Sequence, residues 1–261
     1  MKIEPIASPA GERVLAVAAL SLLCLIAWAY LLYMAWGMAR MDIGAEMAIM
    51  PRMTLWQPID LALVFAMWAI MMLAMMLPSA APMILTFVAL DGTRRETRAR
   101  GRLFAFTAGY IGVWSGFSVV ATLLQWGLLE ARLVSPMMRA SSPWLGAGLL
   151  LTAGLYQLTS VKSACLARCQ SPLEFLRAEW REGWSGALVM GLRHGLFCLG
   201  CCGPAMLLLF VLGVMNVLWI VALAAFILAE KLLPASARLR TASGILLLGW
   251  GAIVLLRAAN G

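Results

Sequence analysis

The stretch HGLFCLGCCGP, which begins at His194, carries the chain's single histidine and three of its six cysteines. On an α-helix of about 100° per residue, the histidine and the cysteines share one face. Thiolates and imidazole are ligands that Cu(I) and Zn(II) accept readily. The spacing therefore predicts a soft-metal site formed by His194, Cys198, Cys201 and Cys202.

The same stretch also admits a packing role. Free cysteine behaves as a small hydrophobe, and glycines beside cysteines let helices approach closely. Pro204 removes a backbone donor and disfavours helical geometry at Gly203, so we expect a helix break beside Cys201 and Cys202. The N-terminus of a following helical segment would favour the thiolate form. The residues alone leave both roles open.

A second group of sulfur ligands lies in MWAIMMLAMMLP, which holds five methionines within ten residues. Thioethers are neutral ligands for Cu(I), so they enter a bilayer without the desolvation cost of a charge. Methionine is also a flexible apolar filler, so side chains that pack or face lipid would give the same pattern. At helical spacing the methionines form two rows: Met67, Met71 and Met75 in the first, and Met72 and Met76 in the second.

Two further groups extend the set of soft ligands. In CLARC, the spacing of Cys165 and Cys169 fits two thiols on one helical turn of an inner loop, where a reducing cytoplasm would leave them available to a metal. Methionines in a polar outer segment would capture Cu(I) weakly, or would form the apolar side of an interfacial segment. These are Met38, Met41, Met47, Met50 and Met53.

Membrane helices must position these ligands, because the composition excludes an ordinary soluble domain. Hydrophobic residues make up 63% of the chain and charged residues 12%, about half the charge of an average soluble domain. We predict an all-α, polytopic transmembrane helical bundle of about six to seven helices, forming a single integral membrane domain over residues 1–261. The apolar stretches lie near 14–36, 57–78, 103–125, 143–160, 185–212, 215–232 and 243–257.

Several single residues are expected to shape this bundle. Pro78 and Pro82 should break the apolar region 57–90. Gly112 and Gly116 form a G-x-x-x-G pattern that favours a close helix contact. We interpret Glu230 and Lys231 as anchors at the membrane interface, with contact to a proton or cation as the alternative. We interpret Arg193 as a residue that snorkels or pairs with a carboxylate such as Glu230.

Lysine and arginine predict the orientation. With the N-terminus in the cytoplasm, most of them fall in inner segments such as 91–102 and 161–184, as insertion requires. The net charge of +8 is therefore attributed to topology, and no nucleic-acid partner is expected. We predict a multi-pass protein of a bacterial inner (cytoplasmic) membrane.

Three blocks resemble the signature of a known bacterial membrane family: MWAIMMLAMMLPSAAPM, YQLTSVKSACLARCQSPL and HGLFCLGCCGPAMLLLFVLGVMNVLW followed by AEK. This is domain-of-unknown-function family 2182, described as predicted metal-binding integral membrane proteins. The blocks fall between about residues 55 and 235. The resemblance implies a helical inner-membrane protein with a metal site, and little about activity. The chain departs from the pattern at Gly203, where a bulky aromatic residue is expected.

The leading hypothesis is that the protein binds and translocates a soft metal ion, with Cu(I) favoured and zinc the other candidate. Outer methionines, the methionine rows, the Cys–His stretch and the Cys165–Cys169 pair would give affinity that rises inward. Methionine in place of carboxylate argues against Mg, Ca or Mn, and the chain has no Walker motif for ATP-driven transport. A binding or transport protein is expected more than an enzyme.

Three alternatives stay open. The protein could hold metal for assembly of a membrane metalloenzyme, with a membrane protein or metallochaperone as partner. It could be a thiol–disulfide oxidoreductase that uses Cys198, Cys201 and Cys202. It could be a structural helical subunit whose sulfur serves packing alone. Homo-oligomerisation is compatible with each of them.

Overall fold

A computed structural model describes residues 10–40, 57–92, 99–134, 140–214, 216–233 and 236–260. Within these ranges the chain is helical, apart from turns and one isolated bridge between Val134 and Ala140. The helices are α1 (Ala10–Arg40), α2 (Pro58–Gly92), α3 (Ala99–Glu130), α4 (Pro143–Gln157), α5 (Ser160–Gln170), α6 (Pro172–Glu179), α7 (Gly183–Met206), α8 (Leu209–Leu212), α9 (Val217–Leu232) and α10 (Ser236–Asn260).

Each of the seven predicted apolar segments contains a described helix, which confirms the all-α membrane bundle. Of the described helices, α4 and α9 have 15 and 16 residues. At about 1.5 Å per residue, they are shorter than the roughly 30 Å hydrocarbon core of a bilayer. In the described part of the chain, five segments are long and apolar enough to cross a membrane: Arg13–Gly37, Pro58–Asp91, Gly101–Glu130, Gly183–Leu212 and Ala237–Asn260.

The predicted helix breaks at proline were wrong. Helix α2 runs without interruption through Pro78 and Pro82, and α7 runs through Pro204 to Met206. A proline leaves the carbonyl four residues earlier without its helical donor. The Trp28 indole nitrogen donates to the carbonyl freed by Pro78, that of Ala74, at 3.1 Å.

A tyrosine does the same for Pro204. The Tyr156 hydroxyl of α4 donates to the carbonyl of Gly200, which is the carbonyl that Pro204 leaves free. Distant side chains therefore keep both helices continuous, as is common where prolines occur in membrane helices. The helix end expected beside Cys201 and Cys202 is not there, and these cysteines lie within α7.

Helix α7 is central to the bundle and crosses α3 at very short range. A Cβ atom added at Gly191 would overlap the Phe106 backbone, and one added at Gly109 would overlap the Leu188 carbonyl. The expected contact at Gly112 and Gly116 was wrong, because a Cβ at either position would meet nothing within 4 Å. The close approach lies nearer the start of α3.

The connection between α4 and α7 folds back onto the bundle. Thr159 caps α5 by accepting a hydrogen bond from the Lys162 amide at 3.2 Å. Phe175 and Leu176 of α6 are buried. Helix α5 packs along α7, so the cysteines of CLARC lie against the helix that carries the other thiols.

Candidate metal centre

Cys198, Cys201 and Cys202 form one compact group, called here the thiol cluster. Their sulfur atoms lie within 4.8 Å of one another. All three are free cysteines, with exposed fractions of 0%, 2% and 1%. Because the residues sit at i, i+3 and i+4 on α7, a continuous helix suffices to bring them together. The structure unites the three as the spacing predicted, and metal binding by them stays a prediction.

The Cys201 and Cys202 thiols donate only weak hydrogen bonds, both to the backbone of their own helix. The Cys201 and Cys202 sulfurs donate to the Cys198 carbonyl oxygen at 3.1 Å and 2.8 Å. In such bonds a side chain donates to a backbone carbonyl in the preceding turn of its own helix. A thiol is a weak donor, so a metal ion that replaced these protons would displace little.

Helix α5 adds two sulfur atoms beside the cluster. The buried Cys169 thiol lies within hydrogen-bonding reach of Cys198 and Cys201. The Cys165 sulfur lies over Gly200, where an added Cβ would come within 2.7 Å of it. Nothing in the sequence indicated that the CLARC pair would lie beside the thiols of α7, and its placement on the inner side of the membrane stays a prediction. The pair is helical, as expected, but it adjoins the thiol cluster.

The methionines of α2 are all interior. In the first row, Met67, Met71 and Met75 are 5%, 0% and 1% exposed, so the alternative that this row faces lipid is excluded. In the second row, Met72 and Met76 are also buried. The Met76 sulfur lies 3.7 Å from the Cys202 sulfur.

The predicted outer methionines lie outside the described part of the structure. They are the side chain of Met38 and the residues Met41, Met47, Met50 and Met53.

His194 is buried one turn before Cys198 and lies among aromatic rings. Its ring stacks on Tyr110 at 5.3 Å between centroids and lies 5.7 Å from Phe175. Neither ring nitrogen has a hydrogen-bond partner within the described ranges. The imidazole adjoins the thiol cluster but does not belong to the group whose ligand atoms lie within 4.8 Å.

Three polar side chains at the cluster were missed by the sequence interpretation. The Lys231 ammonium lies 3.0 Å from the Cys198 sulfur and 2.8 Å from Ser79 Oγ. The Tyr110 hydroxyl lies 3.2 Å from the same sulfur and donates to the Met76 carbonyl at 3.1 Å. Lys231 was the one of the three that the sequence could have indicated, because an ionisable residue within an apolar segment is often functional.

The interpretation of Glu230 and Lys231 as interface anchors was wrong, because they are 2% and 6% exposed. Glu230 Oε2 pairs with Lys162 Nζ at 2.7 Å, which joins α9 to α5. Arg193 pairs with Glu179 and not with Glu230. Glu230 is therefore neutralised by Lys162, and this ion pair does not belong to the thiol cluster.

The donor set suits a soft ion. Three thiols, the neighbouring Cys169 thiol and the Met76 thioether offer sulfur from α7, α5 and α2. Sulfur ligands select Cu(I) and also accept Zn(II), whereas Mg, Ca and Mn prefer oxygen. The nearest ammonium favours the thiolate form of cysteine, which is the form that ligates metals.

The fold and this site define a class: a helical protein with several membrane-type spans and a buried cluster of sulfur donors. A family model described as "PpoB2: Copper chaperone" matches residues 65–254, and the chain belongs to this family. The match confirms that the chain belongs to a copper-related family. The matching family model does not carry the name family 2182, which the sequence resemblance had suggested. Searches of curated proteins and of solved structures gave no match.

Proposed function

We propose that the protein binds Cu(I) within the membrane at the thiol cluster and passes it on. The observation that carries this proposal is the grouping of three buried thiols within 4.8 Å in a chain of the copper chaperone family. The described part of the chain also has five helices able to cross a bilayer. A soft, monovalent ion suits a site whose donors are sulfur and whose surroundings are apolar.

We assign Cys198, Cys201 and Cys202 as the primary ligands. Cys169 and the Met76 thioether are the nearest further donors, and Cys165 and His194 are the next. Zinc is the other candidate metal, because four sulfur or nitrogen ligands also satisfy its tetrahedral preference. The neutral thioether favours Cu(I) over Zn(II).

Translocation is the second part of the proposal. The two buried methionine rows of α2 offer a column of sulfur ligands from Met67 to Met76, and Met76 contacts the cluster. An ion could move along such a column between weak, neutral ligands and then reach stronger thiolate ligands. From the distribution of Lys and Arg, we place the N-terminus in the cytoplasm of a bacterial inner membrane, so the direction would be inward.

Delivery to a partner protein is the alternative that the family description favours, because a chaperone hands its metal to an acceptor. Copper uptake into vesicles that contain the purified protein separates the two. Uptake supports translocation. Copper binding without uptake supports delivery to a membrane or soluble acceptor.

Thiol–disulfide exchange is less well supported. That chemistry needs an attacking thiolate that its partner can reach. The three thiols are at most 2% exposed, which suits a coordinated ion better than a protein substrate.

Metal analysis of detergent-purified protein tests the copper site itself. The full chain is loaded with Cu(I) under reducing, oxygen-free conditions, and bound copper is measured after removal of free metal. We expect Cys198→Ser/Cys201→Ser/Cys202→Ser to abolish high-affinity binding. Cys24→Ser is the matched control, since Cys24 lies on α1 away from the cluster. Full copper binding in the folded triple variant would exclude the proposed site.

A further inference from the structure

The lysine beside the thiol cluster carries a charge that no carboxylate neutralises within the described residues. Lys231 Nζ contacts Cys198 Sγ at 3.0 Å and Ser79 Oγ at 2.8 Å. The acid next to it in sequence, Glu230, is bound to Lys162 at 2.7 Å. A permanent positive charge is thus directed at one proposed ligand of the metal.

The position of this charge is fixed from two sides. Ser79 accepts from the ammonium and itself donates to the Met76 carbonyl at 2.9 Å. Cys198 also contacts the Tyr110 hydroxyl. A buried ammonium is costly to move without its partners, so any ion at the cluster must bind in its field.

We propose that Lys231 determines metal selectivity at the thiol cluster by favouring monovalent over divalent soft cations. This inference rests on the proposed copper site. Since a metal–sulfur bond is about 2.3 Å long, an ion bound by Cys198 lies within about 5 Å of the ammonium. At an effective dielectric constant of about 20, repulsion at that distance reduces affinity roughly a hundredfold for each unit of metal charge.

A divalent ion is repelled twice as strongly as a monovalent ion at the same place. The thiolates attract both ions, and the divalent ion more, so thiolates alone would favour the higher charge. The ammonium counters this advantage while it leaves the soft sulfur donors intact. Lys231 is thus a specificity-determining residue, and it need not coordinate the ion.

Silver(I) and cadmium(II) are suitable probes, because both are soft, closed-shell ions that do not change oxidation state under reducing conditions. The two ions compete at equilibrium for the purified full-length protein, and the ratio of bound silver to bound cadmium is measured. Lys231→Leu removes the charge without adding a metal ligand. We expect this change to shift the ratio toward cadmium by roughly tenfold to a hundredfold.

Two variants serve as controls. Lys231→Arg keeps the charge, and it should keep the ratio within a few-fold of the wild-type value. Lys162→Leu/Glu230→Leu removes a buried lysine together with its partner, so it should leave the ratio unchanged. Lys231→Gln provides a second neutral side chain if the Leu variant does not fold.

The outcomes separate this inference from the proposal beneath it. If a neutral side chain at position 231 weakens both metals equally, Lys231 is structural and the inference is overturned. A silver-to-cadmium ratio that stays at the wild-type value in both the Leu and the Gln variant also overturns it and leaves the metal site in place. If the wild type binds neither ion, the proposed copper site itself is wrong.

Discussion

Helices α7 and α10 are both long and apolar enough to cross a membrane, yet they have opposite surroundings. In the most apolar part of the α7 span, 56% of residues are buried, against 11% in α10. Helix α7 carries the histidine and three cysteines, whereas α10 carries neither residue type. Apolar composition therefore identifies a span, and the polar and sulfur side chains within it identify the span that the protein encloses.

Both helices approach a neighbouring helix closely at glycine residues. They differ in the chemical groups that make their other contacts. Helix α10 approaches α4 closely at Gly244 and Gly251, where an added Cβ would meet Gln157, Leu158 and Leu151. Helix α7 approaches α3 at Gly191 and also contacts the Tyr110 hydroxyl of α3. It contacts α2 and α5 through sulfur atoms and α9 through the Lys231 ammonium. Close packing at glycine is thus common to both regions, while the sulfur contacts and the contact with the Lys231 ammonium belong to α7.

The largest effect on stability is expected where one member of a buried ion pair near α7 is removed. Lys162→Leu leaves the Glu230 carboxylate buried and unpaired, so the free energy of unfolding should fall by about 3–5 kcal/mol. Denaturant titration in detergent micelles measures this. Arg257→Leu on the exposed face of α10 should change stability by less than about 0.5 kcal/mol.

The double variant Lys162→Leu/Glu230→Leu tests the cause of that loss. Replacing both members of a buried pair with apolar residues is often neutral, so most of the stability should return. A double variant no more stable than Lys162→Leu would show that packing, and not the unpaired charge, explains the effect.

Adding one methyl group at a glycine should change the stability differently on α7 and on α10. Gly191→Ala forces a Cβ into the Phe106 backbone, and overpacking of this kind costs about 1–3 kcal/mol. Gly249→Ala on α10 meets nothing within 4 Å, and alanine is the better helix former by about 1 kcal/mol. Thermal unfolding should show a loss for the first and no loss for the second. Equal losses would contradict the close α3–α7 crossing.

Loss of one hydroxyl should have a smaller effect. Tyr156→Phe leaves the Gly200 carbonyl, already without its helical donor because of Pro204, with no partner among the described residues. Because this hydrogen bond is only partly buried, the loss should lie at the lower end of the roughly 1–3 kcal/mol that an unsatisfied buried carbonyl costs. Tyr33→Phe is the control, because Tyr33 is 69% exposed and should behave as the wild type. An unchanged melting temperature for Tyr156→Phe would mean that α7 continues past Pro204 without this support.

The smallest effect on stability per substitution is expected for the first methionine row. Met67→Leu/Met71→Leu/Met75→Leu nearly conserves volume, so each substitution should cost less than about 1.5 kcal/mol. If the row conducts copper, uptake into vesicles should fall while equilibrium binding at the thiol cluster persists. Met83→Leu, a buried methionine of α2 outside both rows, should leave uptake unchanged. Normal uptake in the folded triple variant would assign the row to packing.

Helices and short-range ligand groups could be predicted because each depends on neighbours along the chain. Apolar length located the seven helical segments, and helical spacing brought Cys198, Cys201 and Cys202 together. Contacts between distant segments could not be predicted. Neither the return of α5 onto α7 nor the approach of Lys231 to Cys198 leaves a local pattern. The prolines were misjudged for the same reason, since Trp28 and Tyr156 supply their missing donors from other helices.

Some predictions lie beyond what the structure tests. The orientation depends on arginines such as Arg94 and Arg98, which fall outside the described residues. It stays a prediction that single-cysteine labelling in intact cells can check. The outer methionines belong to the same category.

The nearly complete burial of the thiol cluster has a consequence for rates. Because the sulfurs are closed off from solvent, an ion must pass along the buried methionines of α2 or wait until α2, α5 or α9 moves away from α7. Loading through such an opening should occur no faster than the opening itself, and its rate should level off as copper concentration rises. The same closure keeps peroxide and oxygen from the thiolates, whose oxidation depends on exposure. The helices that hold the ligands in place would thus also set how long an ion stays bound.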